Sequence, residues 1–336
     1  MAQNRYLATP DPEYAALLAQ LSPPPPIGED IQAWRNLAKD IVVPALKKIR
    51  GARLPAETEY RVVDHEVAVD GGKITARCTI PTSGGEVFPL MVWVHGGGFI
   101  TGSLDTDDYL LRTLSVELGI VTVNVEYRLA PEFPFPTALN DCYAALKWAA
   151  ESAALLSASV ARGFLLGGQS SGGNIVAVLT HRARDDPFFR GRQLTGHVLQ
   201  YPQVVHPDAV PAKHETELLS MEELKDAPIL TRDDLLFYAR TIQADPFNPE
   251  FSPLLYPSHA ALPPLYIQIC GWDPVRDECL LYEKVLHEAG VETKIDVYPG
   301  VPHIFATMNP ELTQAVKHDQ DLRAGIRWLL EKTTNY

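Results

Sequence analysis

The stretch Gly167-Gly168-Gln169-Ser170-Ser171-Gly172-Gly173-Asn174 decides how this chain folds. An apolar run at 164–166 precedes it and predicts a buried strand, and the run at 175–179 predicts a helix. Between them, Gly168-x-Ser170-x-Gly172 has the spacing of a nucleophile elbow, a sharp strand-to-helix turn that exposes a serine hydroxyl. Glycines flank that serine because larger side chains would collide with the strand and helix. The competing interpretation is a glycine-rich loop without chemistry.

Strand and helix patterns alternate along most of the chain. A hairpin is predicted at 61–69 and 73–80, and further strands are predicted at 90–94, 120–126, 163–167, 194–201, 265–270 and 292–298. Helices are predicted at 107–118, 137–151, 172–184, 276–289 and 311–332. This alternation indicates an α/β fold in which helices cover both faces of a mostly parallel sheet.

Two segments lie outside that alternation. The N-terminal 50 residues carry a short helical pattern around 14–18, a proline run at 23–26 that predicts an extended linker, and a helical pattern at 30–50. Pro44 is expected to divide the last of these into two pieces. Residues 203–262 hold helical patterns at 221–225 and 233–241, and we interpret them as an insertion over the strand ends.

Composition excludes several classes of protein. With 336 residues, of which 46% are apolar, the chain has enough material for a large core. Its net charge of −13 argues against nucleic acid as a partner, because the two would repel each other. The N-terminus lacks a signal-peptide pattern, and no apolar run approaches the ~20 residues of a membrane span. The sequence leaves a homodimer open.

The four cysteines and ten histidines form no recognisable metal motif, so neither a metal nor a cofactor is expected. Because Cys78, Cys142, Cys270 and Cys279 show no C-x-x-C spacing, we expect them to be reduced, as in a cytoplasmic protein.

A reactive serine needs a base, a group that orients the base, and donors for an oxyanion. The sequence His95-Gly96-Gly97-Gly98-Phe99 follows directly on the strand at 90–94, and its bare backbone N–H groups suit an oxyanion hole. A phosphate-binding loop is the alternative, but the glycine spacings of the known phosphate motifs do not occur there.

Asp273 follows the predicted strand at 265–270, and His303 follows the one at 292–298. Both therefore come just after the carboxyl ends of strands, where ligands bind in open α/β sheets. The chain order serine, aspartate, histidine is that of the hydrolases with a nucleophile elbow. Asp277 is the rival carboxylate, but it falls one turn into the next predicted helix.

Other histidines are given different roles. His287 and His318 lie on helical patterns and are expected at the surface. His181 closes a predicted helix, where a cation would suit the negative end of the helix dipole. His303 is thus the candidate base.

Together these motifs resemble the hormone-sensitive-lipase-like carboxylesterase family of the α/β-hydrolase fold. The resemblance spans about residues 60–330 and includes Tyr127-Arg128-Leu129-Ala130-Pro131-Glu132 and Asp273-Pro274-Val275-Arg276-Asp277. It implies a single domain, 1–336, with an eight-stranded, mostly parallel sheet. The catalytic core would comprise about 60–202 and 263–336, and a helical cap would comprise about 1–50 and 203–262.

The same resemblance implies that the backbone N–H groups of Gly97, Gly98 and Ser171 form the oxyanion hole. The chain departs from the family at two positions, because Gln169 replaces the usual Asp or Thr and Ser171 replaces the usual Ala. Neither change removes a catalytic group, since position 171 contributes only its N–H.

The resulting hypothesis is a serine carboxylesterase that hydrolyses small-molecule esters with short to medium acyl chains. Ser170 would form the acyl-enzyme, His303 would act as base and acid, and Asp273 would orient His303. Two alternatives stay open. The same three residues could cleave an aryl-formamide or a natural-product ester such as a polyketide ester. A non-catalytic receptor resembling the plant gibberellin receptors is the other, although those lack the catalytic histidine and His303 is present.

Overall fold

The computed structural model describes residues 4–20 and 28–333. The proline run at 23–26, predicted as an extended linker, lies outside these residues. All four cysteines lie within them, and each is buried with a free thiol. No helix in the described part of the chain is long and apolar enough to cross a membrane.

Eight strands form one sheet, which confirms the predicted α/β architecture. Their bounds are β1 Tyr60–Val69, β2 Gly72–Pro81, β3 Leu90–Val94, β4 Val121–Glu126, β5 Phe164–Gln169, β6 Gly196–Gln200, β7 Leu265–Cys270 and β8 Thr293–Tyr298. The spatial order is β1-β2-β4-β3-β5-β6-β7-β8. The strand β2 runs antiparallel to β1 and β4, and all other neighbours are parallel. All residues of β3, β5, β6 and β7 are buried, as expected for central strands with helices on both faces.

The helices have the following bounds: α1 Pro12–Leu18, α2 Ile31–Leu37, α3 Val43–Gly51, α4 Leu104–Leu118, α5 Thr137–Glu151, α6 Ser171–Asp185, α7 Ser220–Glu223, α8 Arg232–Ile242, α9 Arg276–Glu288, α10 Phe305–Met308 and α11 Thr313–Thr333. On one face of the sheet, α4 and α11 pack against Trp93, Leu165 and Tyr266. On the other face, α5, α6 and α9 pack against Val92 and Leu166 within the larger core. Successive strand residues point to opposite faces, so each central strand needs apolar side chains on both.

The expected break at Pro44 does not occur. Helix α2 continues through a π turn, Ala38–Val42, directly into α3. At the end of that turn the N–H of Val43 donates to the carbonyl of Ala38, five residues earlier. Pro44 has no N–H to donate, and it occupies the second position of α3, where that loss is tolerated. The wider turn therefore carries the helix past the proline.

The N-terminal segment and the insertion contact each other. Trp34 on α2 meets the Tyr238 ring on α8 edge to face, with ring centres 6.0 Å apart. Arg240 of α8 pairs with Glu29, and Arg5 pairs with Glu223 at the end of α7. These contacts join parts of the chain separated by more than 200 residues.

The side chain of Arg35 also fastens α2 to the core. Its Nε donates to the carbonyl of Ile100 and its Nη2 to the carbonyl of Ala130. Both Nη atoms of Arg35 pair with the carboxylate of Glu132, at 2.8 and 2.6 Å. A single guanidinium thus links the N-terminal segment to the loop after the glycine run and to the motif at 127–132.

Candidate active site

Ser170 occupies the predicted turn between β5 and α6. Its backbone is strained, with φ 52° and ψ −121°, a conformation that non-glycine residues seldom adopt. The neighbouring glycines are required by space. A Cβ atom on Gly172 would lie 2.1 Å from the carbonyl oxygen of Val94, and one on Gly168 would lie 2.7 Å from the carbonyl of Gly172. Only glycine, whose side chain is a hydrogen atom, therefore fits at positions 168 and 172.

Three side chains form a hydrogen-bonded line at the carboxyl ends of β5, β7 and β8. The Nε2 atom of His303 lies 2.8 Å from Oγ of Ser170, and its Nδ1 lies 2.7 Å from Oδ2 of Asp273. Asp273 is fully buried, and its other carboxylate oxygen accepts the N–H of Val275 at 3.1 Å. With its proton on Nδ1, the imidazole donates to the carboxylate and accepts from the serine hydroxyl. The structure brings together the serine, aspartate and histidine selected from the sequence.

The rival carboxylate, Asp277, forms hydrogen bonds with other groups. Its oxygens accept the N–H groups of Leu219 and Ser220, the Nδ2 of Asn4 and the Nε of Arg276. These donors come from the insertion, the N-terminal segment and the adjacent residue. Asp277 thus anchors two outlying segments to the start of α9, and none of the hydrogen bonds it makes reaches His303.

The glycine run at 96–98 forms a loop and no regular secondary structure. Gly97 and Gly98 have φ values of 129° and 61°. The Gly97 carbonyl accepts the N–H groups of Ile100 and Thr101, which closes the loop. The N–H groups of Gly97 and Gly98 form no hydrogen bond within the described ranges. Ser171 is the first residue of α6, so its N–H has no helical carbonyl to bond.

His95, which starts the glycine run, has a structural environment. Its Nδ1 lies 2.8 Å from the carbonyl oxygen of Gly96, and its ring stacks on Tyr127 with centres 4.2 Å apart. The Tyr127 hydroxyl donates to the His95 carbonyl at 3.0 Å. Burial lowers the pKa of His95 to about 4, so its imidazole is neutral near pH 7. The pair holds the glycine run against the motif at 127–132.

Gln169 connects the site to a buried carboxylate that the sequence analysis missed. Its Nε2 lies 2.8 and 2.9 Å from the two carboxylate oxygens of Asp107, which also accepts Nε1 of Trp93 at 2.9 Å. Its Oε1 accepts the hydroxyl of Tyr201, whose ring meets the His303 ring edge to face at 4.8 Å. Burial raises the pKa of Asp107. A sequence signal existed, because Asp107 lies at helical spacing between apolar Leu104 and Leu110.

Two of the histidine predictions are wrong. His181 is fully buried and stacks on Tyr256 of the insertion with ring centres 3.8 Å apart. Burial lowers its pKa to about 2, so it does not act as a cation at the end of α6. His318 is also buried rather than at the surface, next to Tyr201 and Tyr298, with its pKa lowered to about 4. His287 is exposed, as predicted.

Known proteins are similar to this chain in sequence and in fold. Residues 91–307 match a family model described by the α/β hydrolase fold. A crystal structure of vibralactone cyclase aligns with a TM-score of 0.95 and 42% identity, over 98% of this chain and 97% of that one. Esterase LipI of Mycobacterium tuberculosis is 34% identical over 300 residues, which is 86% of each chain. Versiconal hemiacetal acetate esterase of Dothistroma septosporum is 33% identical over 246 residues, 73% of this chain and 74% of the relative.

These matches define the class of protein. The chain belongs to the hormone-sensitive-lipase-like carboxylesterase family of the α/β hydrolases. It is a carboxylic ester hydrolase, as the named esterases among its relatives indicate.

Proposed function

We propose that the chain hydrolyses carboxylic esters through an acyl-enzyme formed on Ser170. The observation that carries this proposal is the continuous hydrogen-bonded line Ser170–His303–Asp273. Nε2 of His303 takes the proton as Oγ of Ser170 attacks the ester carbonyl, and Asp273 stabilises the resulting imidazolium. The same Nε2 then protonates the leaving alcohol. A water molecule, deprotonated by His303, attacks the acyl group and releases the acid.

The oxyanion donors in this proposal are the backbone N–H groups of Gly97, Gly98 and Ser171. Those of Gly97 and Gly98 lack acceptors among the described residues, and the N-terminus of α6 adds its partial positive charge. An oxyanion exists only in the tetrahedral intermediate and the transition states beside it. Such donors therefore accelerate the reaction more than they strengthen substrate binding.

We also assign about 1–50 and 203–262 to one cap over this site. The ring contact of Trp34 with Tyr238 and the ion pairs Glu29–Arg240 and Arg5–Glu223 support the assignment for the described part of those segments. Tyr238 also lies directly over the glycine run, since a Cβ on Gly98 would be 2.7 Å from its ring. The cap would in this way help to set the position of an oxyanion donor.

Gly98→Ala is expected to lower kcat about 10²-fold, the lower end of the range for losing one oxyanion donor, with little change in KM. Alanine keeps the N–H, so the loss comes from its methyl group pressing on the Tyr238 ring and displacing the loop. Adding Tyr238→Ala should recover about tenfold of the loss, since contacting residues couple in double mutants. The measurement is kcat per active site titrated with an organophosphate, beside the melting temperature.

A loop that needs glycine only in order to fold predicts another pattern. Gly98→Ala would then lower the melting temperature while kcat per titrated site stayed normal. That result would show that Gly98 is not an oxyanion donor. If Tyr238→Ala recovers none of the lost kcat, the cap does not influence the position of Gly98.

The proposed substrates are esters with short to medium acyl chains. A graded series of p-nitrophenyl esters from acetate to laurate tests this, with an aryl-formamide as the competing bond. We expect kcat/KM to peak below about ten acyl carbons and the formamide to be the poorer substrate. A maximum at the longest chain, or a preference for the formamide, would contradict the proposal.

A second candidate is a natural-product ester, including the intramolecular version of the same chemistry. The similarity to vibralactone cyclase and to versiconal hemiacetal acetate esterase favours it. If the substrate's own hydroxyl replaces water in the second step, the acyl-enzyme yields a lactone instead of an acid. The non-catalytic receptor has no such support, because His303 stands at hydrogen-bond distance from Ser170. The homodimer and the cytoplasmic location stay predictions.

A further inference from the structure

A cavity of about 170 Å³ lies beside the catalytic residues, on the face of the sheet covered by α4 and α11. We call it the α4–α11 cavity, and the lining residues that matter below are Arg50, Asp107, Gln169, Tyr201, Thr307 and His318. An engineered protein cavity of about 150 Å³ holds a benzene molecule, so this one has room for a group of similar size.

Two residues that line the α4–α11 cavity, Gln169 and Tyr201, adjoin the catalytic residues. Gln169 precedes Ser170 in the chain, and Tyr201 touches the ring of His303. Thr307 follows His303 by four residues and lines the same cavity. A substrate held at Ser170 could therefore place one of its two ends in this space.

Arg50 contributes an unused guanidinium to the cavity wall. Its Nη1 is shielded from solvent and has no hydrogen-bond partner among residues 4–20 and 28–333. The other arginines at the cavity are paired, Arg53 with Glu311 and Arg323 with both Glu117 and Asp319. A buried donor without an acceptor is costly and uncommon, and a bound ligand is one way to satisfy it.

The charges around Arg50 define what kind of acceptor fits. Asp107 lines the same cavity and is close enough for the two charges to interact. Burial raises the pKa of Asp107 and the charge of Arg50 opposes that rise; in its ionised form Asp107 repels a carboxylate that enters the cavity. His318 adds no second positive charge, because burial lowers its pKa to about 4. A neutral carbonyl or hydroxyl oxygen accepts the hydrogen bond without that repulsion.

We propose that the α4–α11 cavity binds the part of an ester substrate that carries a neutral carbonyl or hydroxyl oxygen, and that Arg50 recognises this oxygen. The inference rests on the proposed esterase function and specifies its substrate class: oxygenated esters rather than plain alkyl esters. Arg50 comes from the N-terminal segment, so this specificity would belong to the proposed cap.

Two matched pairs of substrates test the proposal on either side of the ester bond. The acyl pair is p-nitrophenyl pentanoate and p-nitrophenyl 4-oxopentanoate. The alcohol pair is pentyl acetate and 4-oxopentyl acetate. In one pair the wild-type enzyme should favour the oxygenated member. Arg50→Met should then lower kcat/KM for that member about ten- to a hundredfold, mainly through KM, and affect the alkyl member far less.

Arg53→Met is the matched control. It removes a second arginine from the same cavity, but one that is paired with Glu311 and 57% exposed. We expect it to leave the preference within each pair unchanged. The mono-p-nitrophenyl ester of succinic acid, which carries a carboxylate, should be poorer than the 4-oxopentanoate.

Several results would overturn the inference. Equal effects of Arg50→Met on both members of both pairs would mean that Arg50 does not recognise the oxygen. Preference for the succinate ester would mean that the cavity takes anions. If Arg50→Met fails to fold, Arg50→Lys should still reduce the preference for the oxygenated substrate. A wild-type enzyme that shows no such preference in either pair rejects the proposal directly. Absence of all ester hydrolysis would count against the proposed function instead.

Discussion

Ser170→Ala is expected to lower kcat for ester hydrolysis by about 10⁶-fold, comparable to removing the nucleophile from a serine protease. Its hydroxyl oxygen lies at hydrogen-bond distance from Nε2 of His303, so alanine leaves this base without a hydroxyl group to deprotonate. Labelling by an organophosphate should disappear in the same variant, which mass spectrometry of the treated protein measures.

Ser171→Ala is the control for that experiment, because it changes the neighbouring serine and keeps the backbone N–H. The Ser171 hydroxyl is buried beside the hydroxyl of Tyr127, which is not one of the three catalytic residues, so its loss should cost little turnover. We expect both turnover and labelling to be largely retained. An organophosphate adduct found on Ser171, or activity surviving without Ser170, would show that the nucleophile is misassigned.

Asp273→Asn is expected to lower kcat by about 10⁴-fold. The carboxylate accepts a hydrogen bond from the Nδ1–H group of His303, with 2.7 Å between Nδ1 and Oδ2, and this keeps the lone pair of Nε2 directed at Ser170. An amide NH₂ in its place would stabilise the opposite tautomer and would carry no charge to offset the imidazolium. The measurement is kcat at saturating ester, together with the melting temperature to show that the variant is folded.

Asp277→Asn provides a matched change four residues away. Its carboxylate accepts donors from Leu219, Ser220 and Asn4, so weakening it should loosen the insertion and the N-terminal segment. We expect a lower melting temperature and a much smaller loss of kcat than for Asp273→Asn. The reverse order of the two effects on kcat would mean that Asp277 is the orienting carboxylate.

The succession of strands and helices was readable from the sequence. Buried parallel strands such as β3 and β7 are short apolar runs, and the helices between them show regular apolar spacing. Ser170, Asp273 and His303 could be selected for a related reason. Each follows a strand, and parallel strands bring their carboxyl ends to one edge of the sheet. Their positions in the chain therefore implied proximity, while their roles in catalysis stay predictions.

Tertiary packing decided what local pattern could not. Pro44 was expected to break a helix, but a π turn ahead of it keeps the helix continuous. His181 and His318 lie on helix faces that other parts of the chain cover. The insertion covers His181, and His318 packs beside Tyr201 and Tyr298. Whether a helical residue meets solvent depends on segments far away in the chain, which periodicity along the helix itself does not contain.

The sequence by itself determined the fold, the elbow around Ser170 and the candidate aspartate and histidine, because these follow from short-range patterns and chain order. Only the tertiary structure showed the contact behind that choice, because it places Oδ2 of Asp273 2.7 Å from Nδ1 of His303. It also revealed the link from Asp107 through Gln169 to Tyr201 and the unpaired Arg50 beside it. Those side chains come from elements distant in sequence, and their hydrogen bonds exist only once the sheet and helices have packed.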